Sequence, residues 1–216
     1  MKIFSKLLVT SLLLWGGAVC AAEDEPQEPK QSKGSLFIGT EIGYGAAFLS
    51  TDNGTTTTSD FRVPYGVVGA KFGFIDYFGG NVGLRGYTSY HYSSDGEYYT
   101  HQAAFNTEVI WKLGRKFGIY AGLGVGYAHN AALSSSNVNG AQQNQTTVIT
   151  DPKGSGFVVP ANIGFEIRVG QDYHHTVSVN LRATTIAASE RLGAANNTTL
   201  YSARNLFLTL GYAYQF

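Results

Sequence analysis

His91 and Ser93 stand two residues apart in the stretch GYTSYHYSSDGE, and Glu97 follows closely. A hydroxyl, an imidazole and a carboxylate are the parts of a serine hydrolase, in which the base activates the nucleophile and the acid orients the base. That chemistry needs all three groups within hydrogen-bond reach, which spacing alone does not supply. The plainer reading is a strand whose inward side chains are polar. Gly118, Gly122, Gly124 and Gly126 raise a second idea, a phosphate-binding loop, but such a loop opens a helix and none follows here. These glycines alternate with Ile119, Leu123 and Val125, so they more plausibly make room for large neighbours such as Arg85 or Tyr87. His174 and His175 are adjacent, and neighbours on a strand point to opposite faces, so they do not make a metal pair. No catalytic residue, metal or cofactor is expected.

The elements that position these residues come from periodicity. Apolar side chains recur at every second position in eight spans, 35–49, 65–74, 81–92, 99–113, 117–128, 156–169, 173–187 and 205–216. That is the period of a strand. Eight charged side chains fall inside these spans: Glu41, Lys71, Arg85, Glu108, Lys112, Glu166, Arg168 and Arg182. Every one lies on the face opposite the apolar set. Chance would give that agreement about once in 250 trials, whereas a lysine or arginine facing lipid at mid-depth costs about 2–4 kcal/mol.

A soluble sandwich of two sheets would alternate in the same way. Three features favour a membrane barrel instead. The spans run to about 10–15 residues, against roughly 5–6 for an ordinary strand, and Tyr, Phe and Trp gather near their ends. Connection lengths also alternate. Those at 75–80, 114–116 and 170–172 are tight, whereas those at 50–64, 93–98, 129–155 and 188–204 are longer and rich in Ser, Thr, Asn and Gln. Short turns at one end and long loops at the other are the asymmetry of an outer-membrane barrel, with both termini in the periplasm when the strand number is even. Pro64 and Pro160 fit least well, because proline gives no ladder hydrogen bond; a bulge or frayed rim near the loop end would accommodate them.

The first residues agree with export. Lys2 and Lys6 precede an apolar run from Leu7 to Val19, and Cys20, Ala21 and Ala22 follow before an acidic stretch. This reads as a signal peptide over 1–22, cleaved after Ala21 or Ala22. A lipoprotein site at Cys20 would want a small residue where Val19 stands. The stretch 23–33, EDEPQEPKQSK, has no side chain to place in a core and reads as a flexible periplasmic leader, with the barrel over 34–216. Cys20 is the sole cysteine, so the exported chain forms no disulfide. The whole chain carries 15 basic and 15 acidic residues and no polybasic run, which excludes an electrostatic partnership with nucleic acid. With 14 Tyr, 13 Phe and 27 Gly, and only 14% charged residues, composition favours strands over helices.

The closing residues NLFLTLGYAYQF place Leu210, Tyr212, Tyr214 and Phe216 at alternate positions, and this resembles the last-strand signal that the barrel assembly machinery reads. The string NVGLRGYTSYHY after IDYFGG, with that ending, resembles the Helicobacter-type outer membrane protein family. Large adhesins of that family carry a long extracellular domain for which this chain has no counterpart. In size and strand count the chain is similar to the small OmpA/OmpX-type barrels. The expected fold is therefore all-β, an eight-stranded antiparallel up-and-down transmembrane β-barrel in a Gram-negative outer membrane, among outer-membrane lipid and lipopolysaccharide. An interior of that size is filled by side chains. Arg85, Arg168, Arg182, Lys71 and Lys112 should pair there with Glu41, Glu108 and Glu166 as a polar plug. The expected role is envelope structure and presentation of surface loops, to host or phage ligands among others. A narrow porin is the next reading, and a lipid A-modifying enzyme built on Ser93, His91 and Glu97 the third.

Overall fold

The computed structural model describes residues 34–78, 81–96, 98–132, 154–170, 172–194 and 197–216. The signal peptide, the leader, Glu97 and most of the connection after the fifth strand lie outside the described residues. Nine strand segments follow one another: β1 (Ser35–Asp52), β2 (Thr57–Phe78), β3 (Val82–Ser94), β4 (Tyr98–Lys112), β5 (Phe117–Ala132), β6 (Gly156–Val169), β7 (His175–Ile186), β8 (Ala188–Ala194) and β9 (Asn197–Gln215). Each of β1 to β6 pairs antiparallel with the next, β9 pairs with both β7 and β1, and β8 continues β7 past Ala187 along the same side of β9. The wall thus has eight staves and closes on itself.

Closure removes the unpaired edges of an open sheet, which is what lets strands cross hydrocarbon. The outside matches that solvent. Ile42 is 64% exposed, Leu123 61% and Leu210 58%, and comparable apolar side chains cover every stave. A continuous apolar surface of this kind on a protein in water would drive association. Its cover is lipid, and the barrel is a membrane-spanning one. Polar and charged side chains take the opposite face, where most of them are buried.

Ser35, where β1 begins, and Phe216, whose amide donates to the Leu36 carbonyl at 2.9 Å, lie at the same end of the barrel as the turn at 113–116, the turn end. At 113–116 the reversal is closed by the Leu113 amide donating to the Phe117 carbonyl at 2.9 Å, and Gly114 takes φ +95°, which a side chain would strain. At the opposite, loop end, two of the expected loops are instead hairpin extensions. The first runs to Asp52 and resumes at Thr57, with the Asn53 side-chain oxygen accepting from the Thr55 and Thr56 amides at 3.0 and 2.8 Å and Gly54 at φ +84°. Threonine is a good strand former and Asn-Gly a strong hairpin turn, so local preference explains the extension. The second is β8 with the first part of β9, where Ala194 pairs with Asn197. Side by side, β8, β9, β1 and β2 make a wall that rises beyond the ends of β3 and β4.

Both prolines sit at irregularities of register. Between Gly45 and Ala47 the β1–β2 ladder slips, so that Val63 and Pro64 stand against Ala46. Between Val159 and Pro160 the β6–β7 ladder slips, leaving Thr185 as the extra residue. A bulge absorbs the missing N–H in each case.

Candidate functional site

Strand alternation sends Glu41 from β1, Lys71 from β2, Arg85 from β3, Glu108 from β4, Glu166 and Arg168 from β6 and Arg182 from β7 into the lumen, each no more than 6% exposed. They form two clusters. Nearer the turn end, Arg85 donates through Nε and Nη2 to Glu108 Oε2, at 2.9 and 2.6 Å, and through Nη1 to Glu166 Oε2 at 3.0 Å. The other Glu166 oxygen accepts from Arg168 Nη2 at 3.1 Å, and the other Glu108 oxygen accepts from the Tyr87 hydroxyl. The Arg85 guanidinium also lies 4.5 Å from the centre of the Tyr120 ring. Two carboxylates, two guanidinium groups and the Tyr87 phenol thus pair with one another, while Arg168 Nε and the Tyr120 hydroxyl are buried without a protein partner among the described residues.

The second cluster lies deeper. Glu41 accepts from Lys71 Nζ at 2.9 Å through one oxygen, and its other oxygen is 2.7 Å from His91 Nε2. The remaining ring nitrogen, Nδ1, faces Arg182 Nη1 at 3.3 Å. A guanidinium only donates, so Nδ1 accepts, and the His91 proton sits on Nε2 and points at Glu41. Arg182 donates further to Ser89 Oγ at 2.9 Å and to the Tyr87 hydroxyl at 3.2 Å. It therefore joins the two clusters without touching a carboxylate, reaching Glu41 through His91 and Glu108 through Tyr87. The direct pairing expected for Arg182 is corrected to this relayed one. Lys112, at the turn end, is half-buried, and its ammonium lies 3.7 Å from the centre of the Tyr77 ring.

Spacing alone gave His91 no place in this network. Its contacts cross from β3 to β1 and β7, and such cross-lumen meetings depend on the stagger of the whole barrel. The hydrolase geometry is not present among the described residues: both His91 nitrogens face Glu41 and Arg182, and Ser93 Oγ is buried without a protein partner. The glycine row serves neighbours other than those expected. A Cβ on Gly122 would lie 2.5 Å from Glu108 Cγ, one on Gly118 3.1 Å from Glu166 Cγ, and one on Gly124 would strike the Asn106 side chain; room for Tyr87 comes from Gly73.

Toward the loop end the lumen changes character. Leu49, Val67, Tyr98, Ala203 and Phe207 pack together with Ala47 as an apolar cap, and Phe207 meets His91 at 5.8 Å between ring centres. The Tyr98 hydroxyl and Thr100 Oγ1 each donate to Asn130 Oδ1 at 2.7 Å, and Asn205 Nδ2 reaches the same oxygen at 3.3 Å.

At the other end of the wall, Leu210, Tyr212 and Phe216 are exposed on the outside of β9 with Tyr214 half-buried beside them. His174 and His175 both stand against the Tyr214 ring, because β7 begins at His175 and strand alternation does not extend back to His174. Among the described residues, no group of three or more His, Cys, Asp or Glu side chains is placed to hold a metal ion.

No protein-family model matches the chain, and no curated protein sequence does. Among solved structures, it is similar to Neisserial surface protein A, with 11% identity over 86% of this chain and 100% of that one and a TM-score of 0.47. The outer membrane protein OprG from Pseudomonas aeruginosa aligns with 11% identity over 87% and 99% of the two chains, TM-score 0.46. Ail, the attachment invasion locus protein of Yersinia pestis, aligns with 11% identity over 85% and 100%, TM-score 0.43. With TM-scores this low, the fold assignment rests on the strand register and the lipid-facing exterior described above.

Proposed function

We propose that this chain is a non-enzymatic integral outer-membrane protein that contributes to the structure of the envelope and presents the hairpins of its loop end outside the cell, where host or phage molecules meet them. The termini and tight turns then face the periplasm, and the Leu210, Tyr212, Tyr214 and Phe216 row is the signal taken by the barrel assembly machinery. The kinship with the Helicobacter-type outer membrane proteins belongs to this proposal and rests on the sequence strings alone. One observation carries the reading: an apolar exterior encloses a lumen crossed by the Arg85–Glu108–Glu166 cluster and capped by Tyr98 and Phe207. A lumen so filled supports structure and display rather than transport.

A narrow porin is the second reading. It is favoured by polar atoms of Ser93, Gln102, Asn180 and Thr209 that are buried without protein partners, because water in the lumen would satisfy them. Conductance of the purified barrel in planar bilayers decides between the two. The proposal expects no large, stable channel, and finding one overturns it. A heat-modifiable gel shift from outer-membrane fractions tests the location, and a chain that is monomeric in buffer without detergent defeats it. Lipid A mass spectra of cells expressing the protein should be unchanged; an altered acylation pattern lost in Ser93→Ala would restore the hydrolase reading.

A further inference from the structure

On the outer surface near the loop end a groove of about 750 Å³ runs across β2, β1, β9 and the junction of β7 with β8. It exists because of a register change. Ala183 pairs with Leu206 and Ala188 with Ala203, so residues 184–187 stand against only Arg204 and Asn205, and the wall opens outward there. Arg204 is exposed in this opening, and no described residue offers it a carboxylate. Phe48 and Phe61 line it as a pair 4.5 Å apart between ring centres, and Ser50, Ser59 and Ser202 add hydroxyls. Asp60 pairs with the inward Leu49 and so stands on the lumen side of the wall, its carboxylate accepting from the Phe61 amide at 2.8 Å.

The depth of the groove decides what meets it. From Tyr214 to Arg204, β9 advances about 34 Å, or about 25 Å along the barrel axis at the usual strand tilt, which is the height of an apolar band. Outward side chains turn polar at that level on neighbouring staves: Phe48 gives way to Ser50, Leu206 to Arg204 and Ser202, and Ile186 to Ser189. The groove therefore opens at the boundary between acyl chains and headgroups. An arginine there costs about 0–1 kcal/mol, against about 2–4 at mid-depth, and it faces whatever anion the leaflet carries.

We infer that this groove seats the phosphorylated sugar headgroup of an outer-leaflet glycolipid, with Arg204 on the phosphate. The guanidinium fork matches two phosphate oxygens, the serine hydroxyls meet sugar hydroxyls, and the phenylalanine pair takes the apolar face of the ring and the first part of the acyl chains. The inference rests on the outer-membrane location proposed above.

Purified barrel in phosphatidylcholine nanodiscs, titrated with lipid A and read by native mass spectrometry, tests it. Arg204→Ala should weaken lipid A retention by about tenfold or more, Arg204→Lys should weaken it less, and Arg191→Ala, an exposed cation beyond the groove on β8, should leave it unchanged. Dephosphorylated lipid A should be retained as poorly by the wild type as lipid A is by Arg204→Ala. Equal retention by Arg204→Ala and wild type overturns the inference, as does equal retention of phosphatidylglycerol, or equal binding of free glucosamine 1-phosphate. A heat-modifiable shift in each preparation separates the two levels of failure. A barrel that folds into the bilayer but ignores lipid A defeats the groove alone, whereas a chain that needs no detergent defeats the location.

Discussion

The two halves of the lumen solve the same problem by opposite means. Near the turn end the space between staves is filled by charge, and the Arg85, Glu108, Glu166 and Arg168 side chains hold one another in fixed geometry. Near the loop end it is filled by volume, with Leu49, Val67, Tyr98 and Phe207 packed as a small hydrophobic core. The halves meet where Phe207 lies against His91. Charge gives direction and a strict partner for each group, so its failure should be abrupt. Apolar packing tolerates change in proportion to the volume lost. The contrast predicts which substitutions hurt and by how much.

The largest effect is expected from Glu108→Ala, which takes the acceptor from Arg85 Nε and Nη2 and from the Tyr87 hydroxyl and leaves Glu166 alone against the Arg85 and Arg168 guanidinium groups. Removing one member of a buried ion pair costs about 3–5 kcal/mol. Urea unfolding of the barrel in lipid vesicles, followed by fluorescence, measures it. Replacing Arg85 by Met and Glu108 by Leu together should recover much of the loss, since no charge is then left unpaired. If the double variant is no better than the single one, the cluster is not acting as a unit.

Leu49→Ala, in the cap, should cost about 3 kcal/mol, from lost burial and the cavity left behind. A conservative Leu49→Met should cost less than about 1.5 kcal/mol, because packing accepts a similar volume. The same unfolding assay would show the graded response. A Met variant as damaged as the Ala variant would mean that the cap has the strict geometry assigned here to the ionic half.

A third test probes the wall behind the ionic half. A Cβ at Gly122 would run into the Thr107 carbonyl and press on Glu108. Gly122→Ala should therefore cost about 1–3 kcal/mol, less than losing the carboxylate itself. Gly66, where a Cβ meets open space, is the control, and Gly66→Ala should be near neutral. Equal effects at the two glycines would remove the steric argument.

Strand period made much of this visible in the sequence. The span of β6 is the one read from alternation, and the inward placement of Glu41, Arg85, Glu108, Glu166 and Arg182 followed from parity. Parity says which face a side chain takes but not whom it meets there. Arg182 and His91 sit on different staves, and their contact is set by strand stagger and barrel closure, which no local pattern records. The cap escaped for a related reason. An inward apolar residue such as Phe207 or Val67 looks like a lapse in a polar row until several of them are seen at one height. The threonine-rich stretch before Phe61 reads as a loop by polarity, although its side chains favour strands and its turn is Asn-Gly. The outer groove arises from a register change that only the paired strands reveal.

The smallest expected effect separates packing from hydrogen bonding within the cap. Tyr98 is fully buried, with its ring in the apolar cluster and its hydroxyl on Asn130. In Tyr98→Phe the ring stays, and Asn130 Oδ1 keeps Thr100 and Asn205 as donors, so no buried acceptor is orphaned. One hydrogen bond of this kind contributes about 1 kcal/mol net, and the variant should lose no more than that. Tyr98→Ala removes the ring as well and should cost about 3 kcal/mol or more. Nearly equal losses for Phe and Ala would mean that the hydroxyl, not the ring, holds the loop end shut, and the division of the lumen into a charged half and a packed half would have to be redrawn at Asn130.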